Sequence, residues 1–442
     1  MKRFVLALLL CAPPALARAA DAPKTGPWDV KALASADVKP EWGQKVGTVR
    51  EVYYPGEPFG GKPTRVFAYY ARPAKGDGPF PAVLLVHGGG GKAFSAWAEH
   101  WANRGYCALA MDLAGHGPNG RLPDGGPDQS DDTKFRDFDD KTVREMWTYH
   151  AVAAVLRGHN LLRALPEVDK DRVAVTGISW GGYLTCIIAG LDGRLKAAVP
   201  VYGCGFLHEN SVWKESRFDK VAAARAKRWT DTFDPSNYLP NVKCPILFLN
   251  GTNDFAYPMD SYQKCYDLVQ APRTISVRVR LPHGHIWNFG EVDAFIDSHL
   301  NKGAPLPELG TMARAGDTVT AQVTSKTKLK SAQLHYATAE GTWQKRQWAS
   351  TTADIKDGVV TAKLPAARPL VYELAVTDER GLEVTTTHAV LTAPTLPNSC
   401  EATPQVLGTS VAIFSSRRGV CRAQVALLPS TDEERYHVPH HR

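Results

Sequence analysis

The stretch "VTGISWGGYLT", Val175 to Thr185, places a serine between glycines at two-residue spacing: Gly177-Ile178-Ser179-Trp180-Gly181 fits G-x-S-x-G. The apolar run "RVAV" precedes it and the helix-compatible "YLTCIIAGL" follows it. Glycines at these places let a strand turn straight into a helix and leave the intervening hydroxyl at the carboxyl end of a sheet. The pentapeptide alone is a common turn. Its strand-turn-helix context makes Ser179 a candidate nucleophile.

Working outward, short apolar runs alternate with helical patterns. "RVFAYYARP" (65–73), "FPAVLLVHGG" (80–89), "CALAMDL" (107–113), "RVAVTG" (172–177), "AAVPVYG" (197–203), "PILFLNG" (245–251) and "TISVRVRL" (274–281) read as strands. Helical spacing runs from Asp140, a candidate cap, to Leu165, and again over Glu291–Leu300. Continuous apolar strands between helices predict an α/β domain with a doubly wound, mostly parallel sheet over residues 20–302. The part before residue 65 reads as a polar lead-in. After the linker "NKGAPLPELG", residues 311–393 alternate apolar and polar positions between turns, which predicts a small all-β sandwich of immunoglobulin or fibronectin type. Residues 394–442 form a polar tail, with Cys400–Cys421 as the expected disulfide.

The chain has 442 residues, enough for more than one domain. Its first 19 residues carry a basic start at Lys2 and Arg3, an apolar run from Phe4 to Leu10 too short to span a bilayer, and Ala17-Arg18-Ala19 as a cleavage site. They predict a cleaved signal peptide and a secreted or periplasmic product without a membrane span. Removing Lys2, Arg3 and Arg18 lowers the formal charge of +7 by three, to +4. With no dense basic run carrying interleaved aromatics, nucleic acid is not an expected partner. Seven cysteines follow the cleavage site, so at least one stays unpaired; Cys107, Cys186 and Cys244 lie in apolar segments and read as small buried residues. No cysteine or histidine spacing suggests a metal, and no cofactor is expected. Nothing in the sequence marks an oligomeric state.

A serine hydroxyl needs a positioned base. In a sheet of this kind the partners follow in the order Ser, Asp, His, each after a later strand. "PILFLNGTNDFAYP" presents Asp254 as the acid, and "TISVRVRLPHGHIWN" presents His283 and His285. His285 is the expected base, because the chain leaves the strand through Pro282 and a glycine precedes this histidine; His283 is then expected to line the pocket. The oxyanion that forms on attack needs preorganised amides. Trp180 is expected to supply one, and Gly89, or else Gly90, in "LLVHGGGGKAF" the other. A phosphate-binding glycine loop is the weaker reading, since Lys92 is followed by Ala93 rather than Ser or Thr. His87, Asp112 and His116 read as braces for the glycine loop. The long segment 206–239 is expected at the pocket rim, with Trp213, Trp229, Phe255, Tyr257 and Trp287 as candidate lining residues.

"LLVHGGGG", "GYCALAMDLAGHG", "VTGISWGGYLT", "AAVPVYGCGFL", "NGTNDFAYP" and "LPHGHIWNFGEVDAFIDSHL" together resemble the α/β-hydrolase superfamily. Within it the chain looks like the dienelactone-hydrolase-like and acetyl-xylan-esterase-like proteins related to the prolyl oligopeptidase catalytic domain. The resemblance implies a catalytic triad of Ser179, Asp254 and His285. Dienelactone hydrolases proper carry cysteine where this chain has Ser179, which favours ordinary ester cleavage. The expected activity is serine ester hydrolysis on a small-molecule or carbohydrate ester, deacetylation above all. Two alternatives stand beside it: a peptidase of prolyl-oligopeptidase type acting on short peptides, and a non-catalytic polysaccharide-binding protein.

Overall fold

A computed structural model describes residues 24–392. The proposed leader and the Cys400–Cys421 pair lie outside the described residues. Nine strands form the first sheet: β1 Glu41–Val46, β2 Val49–Pro55, β3 Arg65–Ala71, β4 Phe80–Val86, β5 Cys107–Met111, β6 Val168–Ile178, β7 Ala197–Val201, β8 Ile246–Gly251 and β9 Arg273–Arg278. Their order is β1-β2-β3-β5-β4-β6-β7-β8-β9, antiparallel up to β5 and parallel from β5 onward.

Alternation along the strands sends residues to both faces. Val83 and Leu85 of β4 join one core with helices α2 (Ser95–Asn103) and α7 (Gly290–Leu300). Leu84 and Val86 join the other with α3 (Trp147–Ala164), α4 (Trp180–Leu191), α5 (Ala223–Phe233) and α6 (Met259–Asp267). Burial on both sides is why the central strands read as unbroken apolar runs. Among the described residues no helix is long and apolar enough to cross a membrane.

The structure differs from the sequence reading at two elements here. The lead-in contains β1 and β2, joined at Gly47-Thr48, with Gly47 at φ +60°. The helix expected from Asp140 begins only at Trp147. Asp139, not Asp140, accepts the amides of Lys141 and Thr142 and closes a short 3₁₀ turn that stands before it.

The second sheet is antiparallel and contains β10 Thr318–Thr324, β11 Leu329–Thr338, β12 Ala349–Lys356, β13 Val359–Lys363, β14 Leu370–Asp378 and β15 Glu383–Thr385. β12 pairs with β11 through Ala349–Ala353 and with β13 through Asp354–Lys356, so one strand turns the corner between the two layers. Val319, Leu334, Val360, Leu374 and Val376 fill the space between them. The buried cysteines 107, 186, 204, 244 and 265 are free thiols.

Asp192, just past α4, ties the first helix to the rest. It bonds His159 of α3 at 2.7 Å and Arg194 at 2.6 and 2.7 Å, and Arg194 reaches the Ala34 carbonyl of α1 (Val30–Ser35) at 2.9 Å. Burial by itself would raise the Asp192 carboxyl; the Arg194 and His159 contacts outweigh it and hold the group well below the usual carboxylate range. Asp192→Ala leaves the buried His159 imidazole without its acceptor and the part-buried Arg194 guanidinium with only the Ala34 carbonyl and Asn160 Oδ1, and is expected to lower unfolding free energy by about 3 kcal/mol, read by urea denaturation at neutral pH. Because the folded value is depressed, the wild-type advantage holds above the unfolded carboxyl's value of about 3.9. It disappears as pH falls through the folded value.

Candidate active site

Ser179 stands between β6 and α4 with φ +55° and ψ −121°. An L-residue occupies this region only where its surroundings force it. Here the forcing comes from glycines. A Cβ on Gly181 would collide with the Val86 carbonyl oxygen, and one on Gly203 with the carbonyl oxygen of Ser179 itself. The serine amide donates to the Val201 carbonyl at 3.0 Å and its carbonyl starts α4 by accepting from Tyr183 at 2.9 Å. The hydroxyl is therefore held at the carboxyl end of the central strands.

Asp254 follows β8, is 3% exposed, and accepts the amides of Ala256 and Tyr257 on Oδ1 at 2.9 and 2.8 Å. Its other oxygen, Oδ2, lies 2.7 Å from His283 Nδ1, and His283 Nε2 lies 2.9 Å from Ser179 Oγ. The carboxylate only accepts, so Nδ1 carries the proton and Nε2 is free to accept from the serine hydroxyl. This corrects the choice of His285. β9 ends at Arg278, three residues before the strand predicted from sequence, and the chain turns at Arg280 with φ +55°. Tyr202 then fixes the loop, its hydroxyl donating to the Gly284 carbonyl at 2.6 Å while its ring lies 4.5 Å from that of His283. The early turn spends the reach that the sequence reading had assigned to Pro282. His285 instead sits against Phe94 and the glycine loop, at 5.2 Å from the Phe94 ring, and burial lowers its pKa.

The glycine loop after β4 meets the elbow directly. A Cβ on Gly89 would stand 2.8 Å from the Trp180 ring, whereas one on Gly90, at φ +68°, would meet nothing. Of the two glycine candidates Gly89 is thus the one brought against Trp180. Neither its amide nor that of Trp180 donates to another group among the described residues, and Trp180 is the first residue of a twelve-residue helix whose dipole favours negative charge there. His87 braces the loop from below: Nε2 accepts the Leu113 amide at 2.9 Å, and Nδ1 contacts the Gly88 carbonyl at 2.7 Å. Asp112 accepts the amides of Ala114 and His116 at 2.9 and 2.7 Å.

The aromatic candidates divide. Phe255, 56% exposed, stands edge-on to His283, and buried Tyr257 lies parallel to the same ring. Trp213 packs on both Tyr257 and Trp180 at 5.4 and 4.6 Å. Trp287 does not join them; it packs with Phe94 and Trp97 on the other face. Trp229 stacks on Phe135, one layer behind Trp180. Sequence reasoning missed Lys134, a buried ammonium 4.4 Å from the Trp180 ring centre, paired with Asp131 at 2.9 Å and with its pKa lowered by burial. Among the described residues no cluster of His, Cys, Asp and Glu could hold a metal ion.

A strand-to-helix serine at the centre of this strand order, with acid and histidine after the last two parallel strands, decides the assignment. The chain is an α/β-hydrolase. Residues 66–281 match the Dienelactone hydrolase family, and the chain is similar to dienelactone-hydrolase-like and acetyl-xylan-esterase-like proteins. The acetyl esterase Axe7A of Xylanibacter ruminicola is 26% identical over 225 residues, 47% of this chain and 50% of that one. The putative hydrolase YtaP of Bacillus subtilis is 25% identical over 217 residues, 45% of this chain and 68% of its own. This chain therefore spans half the length of the first of these relatives. In fold it is similar to acetyl xylan esterase 1 of a Thermoanaerobacterium species (TM-score 0.51, 22% identity, covering 62% of this chain and 91% of that one). The acetyl xylan esterase of Paenibacillus sp. R4 gives a TM-score of 0.50 at 20% identity, over 62% and 92% of the two chains.

Gly181→Ala tests the elbow. The added methyl has no space beside the Val86 carbonyl, and the variant is expected to lose about 3 kcal/mol or more of stability, or to fail to accumulate as folded protein, as judged by thermal unfolding and near-UV circular dichroism.

Proposed function

We propose that this α/β-hydrolase is a serine esterase that cleaves carboxylic esters through an acyl-enzyme, with acetylated carbohydrates as its substrate class. The observation that carries the reading is the continuous hydrogen-bond chain Ser179–His283–Asp254, closed at 2.9 and 2.7 Å beside two free amides. In this mechanism Ser179 Oγ attacks the ester carbonyl while His283 Nε2 takes its proton, and Asp254 holds the imidazole in the required tautomer and stabilises its charged form. The amides of Trp180 and Gly89 receive the developing oxyanion. His283 returns the proton to the departing alcohol, then activates water against the acyl-serine. The acetyl class is supported by the relative named an acetyl esterase, and the sugar class by Phe255, an exposed ring edge-on to His283, whereas Tyr257 and Trp213 are buried behind it and do not line the pocket.

The same proposal places the enzyme outside the cytoplasm. Its support is the basic start, apolar run and Ala-x-Ala site of residues 1–19, and N-terminal sequencing of the protein from its producing cell is expected to read from Ala20.

The catalytic assignment is tested with p-nitrophenyl acetate, an acetylated xylo-oligosaccharide and an aminoacyl anilide. Wild type is expected to cleave both esters, with Ser179→Ala and His283→Ala each losing at least about a thousandfold in kcat and His285→Ala losing less than about tenfold. Full activity in Ser179→Ala would sink the mechanism. Cleavage of the anilide alone would make the chain a peptidase, in keeping with a relative from Pseudoxanthomonas mexicana named dipeptidyl aminopeptidase BIII, 26% identical over 201 residues.

A further inference from the structure

We infer that the C-terminal β-sandwich is a working part of this site: through Asn253 and Arg280 it holds in register the two loops that carry Asp254 and His283. The inference rests on the esterase reading. Asn253, the residue before the acid, donates its amide to two main-chain carbonyls of the sandwich, those of Gln344 at 3.1 Å and Arg346 at 2.8 Å. Its oxygen accepts from the Thr252 hydroxyl at 2.9 Å, and Thr252 Oγ1 accepts the Arg280 amide at 3.0 Å. Arg280, at the turn of the histidine loop, then reaches back to the sandwich, to the Trp348 carbonyl and Gln347 Oε1 at 3.3 Å each.

The result is a closed circuit: sandwich loop, acid loop, histidine loop, sandwich loop. The anchor itself is stiff. Trp343 and Trp348 at its two ends are buried in the same core as Tyr257, and the Arg346 guanidinium covers the Trp343 ring at 3.6 Å. Main-chain carbonyls as acceptors add rigidity, since they do not change rotamer. Neither Asn253 nor Arg280 takes part in the Ser179–His283–Asp254 chain, so both are positioning residues. They act on the 2.7 Å contact between Asp254 and His283, where small misplacements carry large losses in rate. Other bonds join sandwich and hydrolase without touching these loops: Ser276 Oγ donates to the Glu383 carbonyl at 2.7 Å.

The experiment uses the full chain carrying Asn253→Ala, Asn253→Asp or Arg280→Ala, with Ser276→Ala as control. It measures kcat and KM on p-nitrophenyl acetate, the rate of Ser179 labelling by a fluorophosphonate, and thermal unfolding. In the Asn253 and Arg280 variants kcat and the labelling rate are expected to fall on the order of tenfold, with KM within about twofold of wild type. Ser276→Ala is expected to keep wild-type kcat while melting at a lower temperature. Unchanged kcat in the Asn253 and Arg280 variants, or an equal loss in Ser276→Ala, overturns the brace and leaves the esterase reading standing. A wild type that neither turns over esters nor labels at Ser179 overturns both. Should Asn253→Ala not fold, Asn253→Asp and Arg280→Ala carry the test.

Discussion

The strained backbone of Ser179 is the constraint on which the site depends. A φ of +55° at a non-glycine residue persists only if the alternatives cost more. Three contacts of β-carbon-free backbone make them so: Gly181 against the Val86 carbonyl, Gly177 against the Gly181 carbonyl, and Gly203 against the carbonyl of Ser179. These tie the elbow to β4, to its own helix and to the end of β7. The nucleophile is thus located by the buried strands at the middle of the sheet and not by its own side chain.

That constraint also explains what could be read from the sequence. Gly177, Ser179 and Gly181 report a local geometry that few other residues satisfy, and the apolar runs around them report burial on both faces of a sheet. Asp254 is legible for the same reason, as an acidic residue three positions after the end of the buried strand "ILFLNG". The histidine is not. Which of His283 and His285 faces the serine depends on where β9 stops and on how Arg280 and Gly284 are caught, by Thr252 and Tyr202, from elsewhere in the chain. Long-range hydrogen bonds of this kind leave no periodicity. Trp287 failed as a pocket residue likewise, because the loop between His283 and α7 carries no face parity. The missed hairpin of β1 and β2 is different: Val46-Gly47-Thr48-Val49 is a β-branched pair around a glycine-bearing two-residue turn, a local signal that was present.

Trp180 links the two halves of the oxyanion arrangement in a way its backbone role alone does not require. Its ring lies against Gly89, and Trp147, Trp213, Phe135 and Tyr183 surround it, with the Lys134 ammonium over its face. The side chain therefore sets the distance between the glycine loop and the helix start, so the amides proposed to receive the oxyanion are spaced by an aromatic wedge. Burial of Lys134 is compensated by Asp131, which keeps the charge from acting as an uncompensated cation behind the helix.

Nucleophile and acid–base pair consequently have different mechanical supports. Ser179, Trp180 and Gly89 belong to the centre of the sheet, where strands on both sides fix them. Asp254 and His283 follow β8 and β9, the last two strands of the order, and β9 is the edge, with no further strand of the same sheet beyond it. An edge strand with unpaired main-chain groups is both mobile and prone to wrong pairing. Here the sandwich occupies that position: Thr385 of β15 accepts the Val277 amide of β9 at 3.1 Å, and the Glu383 carbonyl takes the Ser276 hydroxyl. Covering the edge and clamping the loops that leave it are two consequences of one placement. A hydrolase domain whose histidine loop left an uncovered edge strand would have to hold the 2.7 Å contact to Asp254 from one side only; the second domain supplies the missing wall.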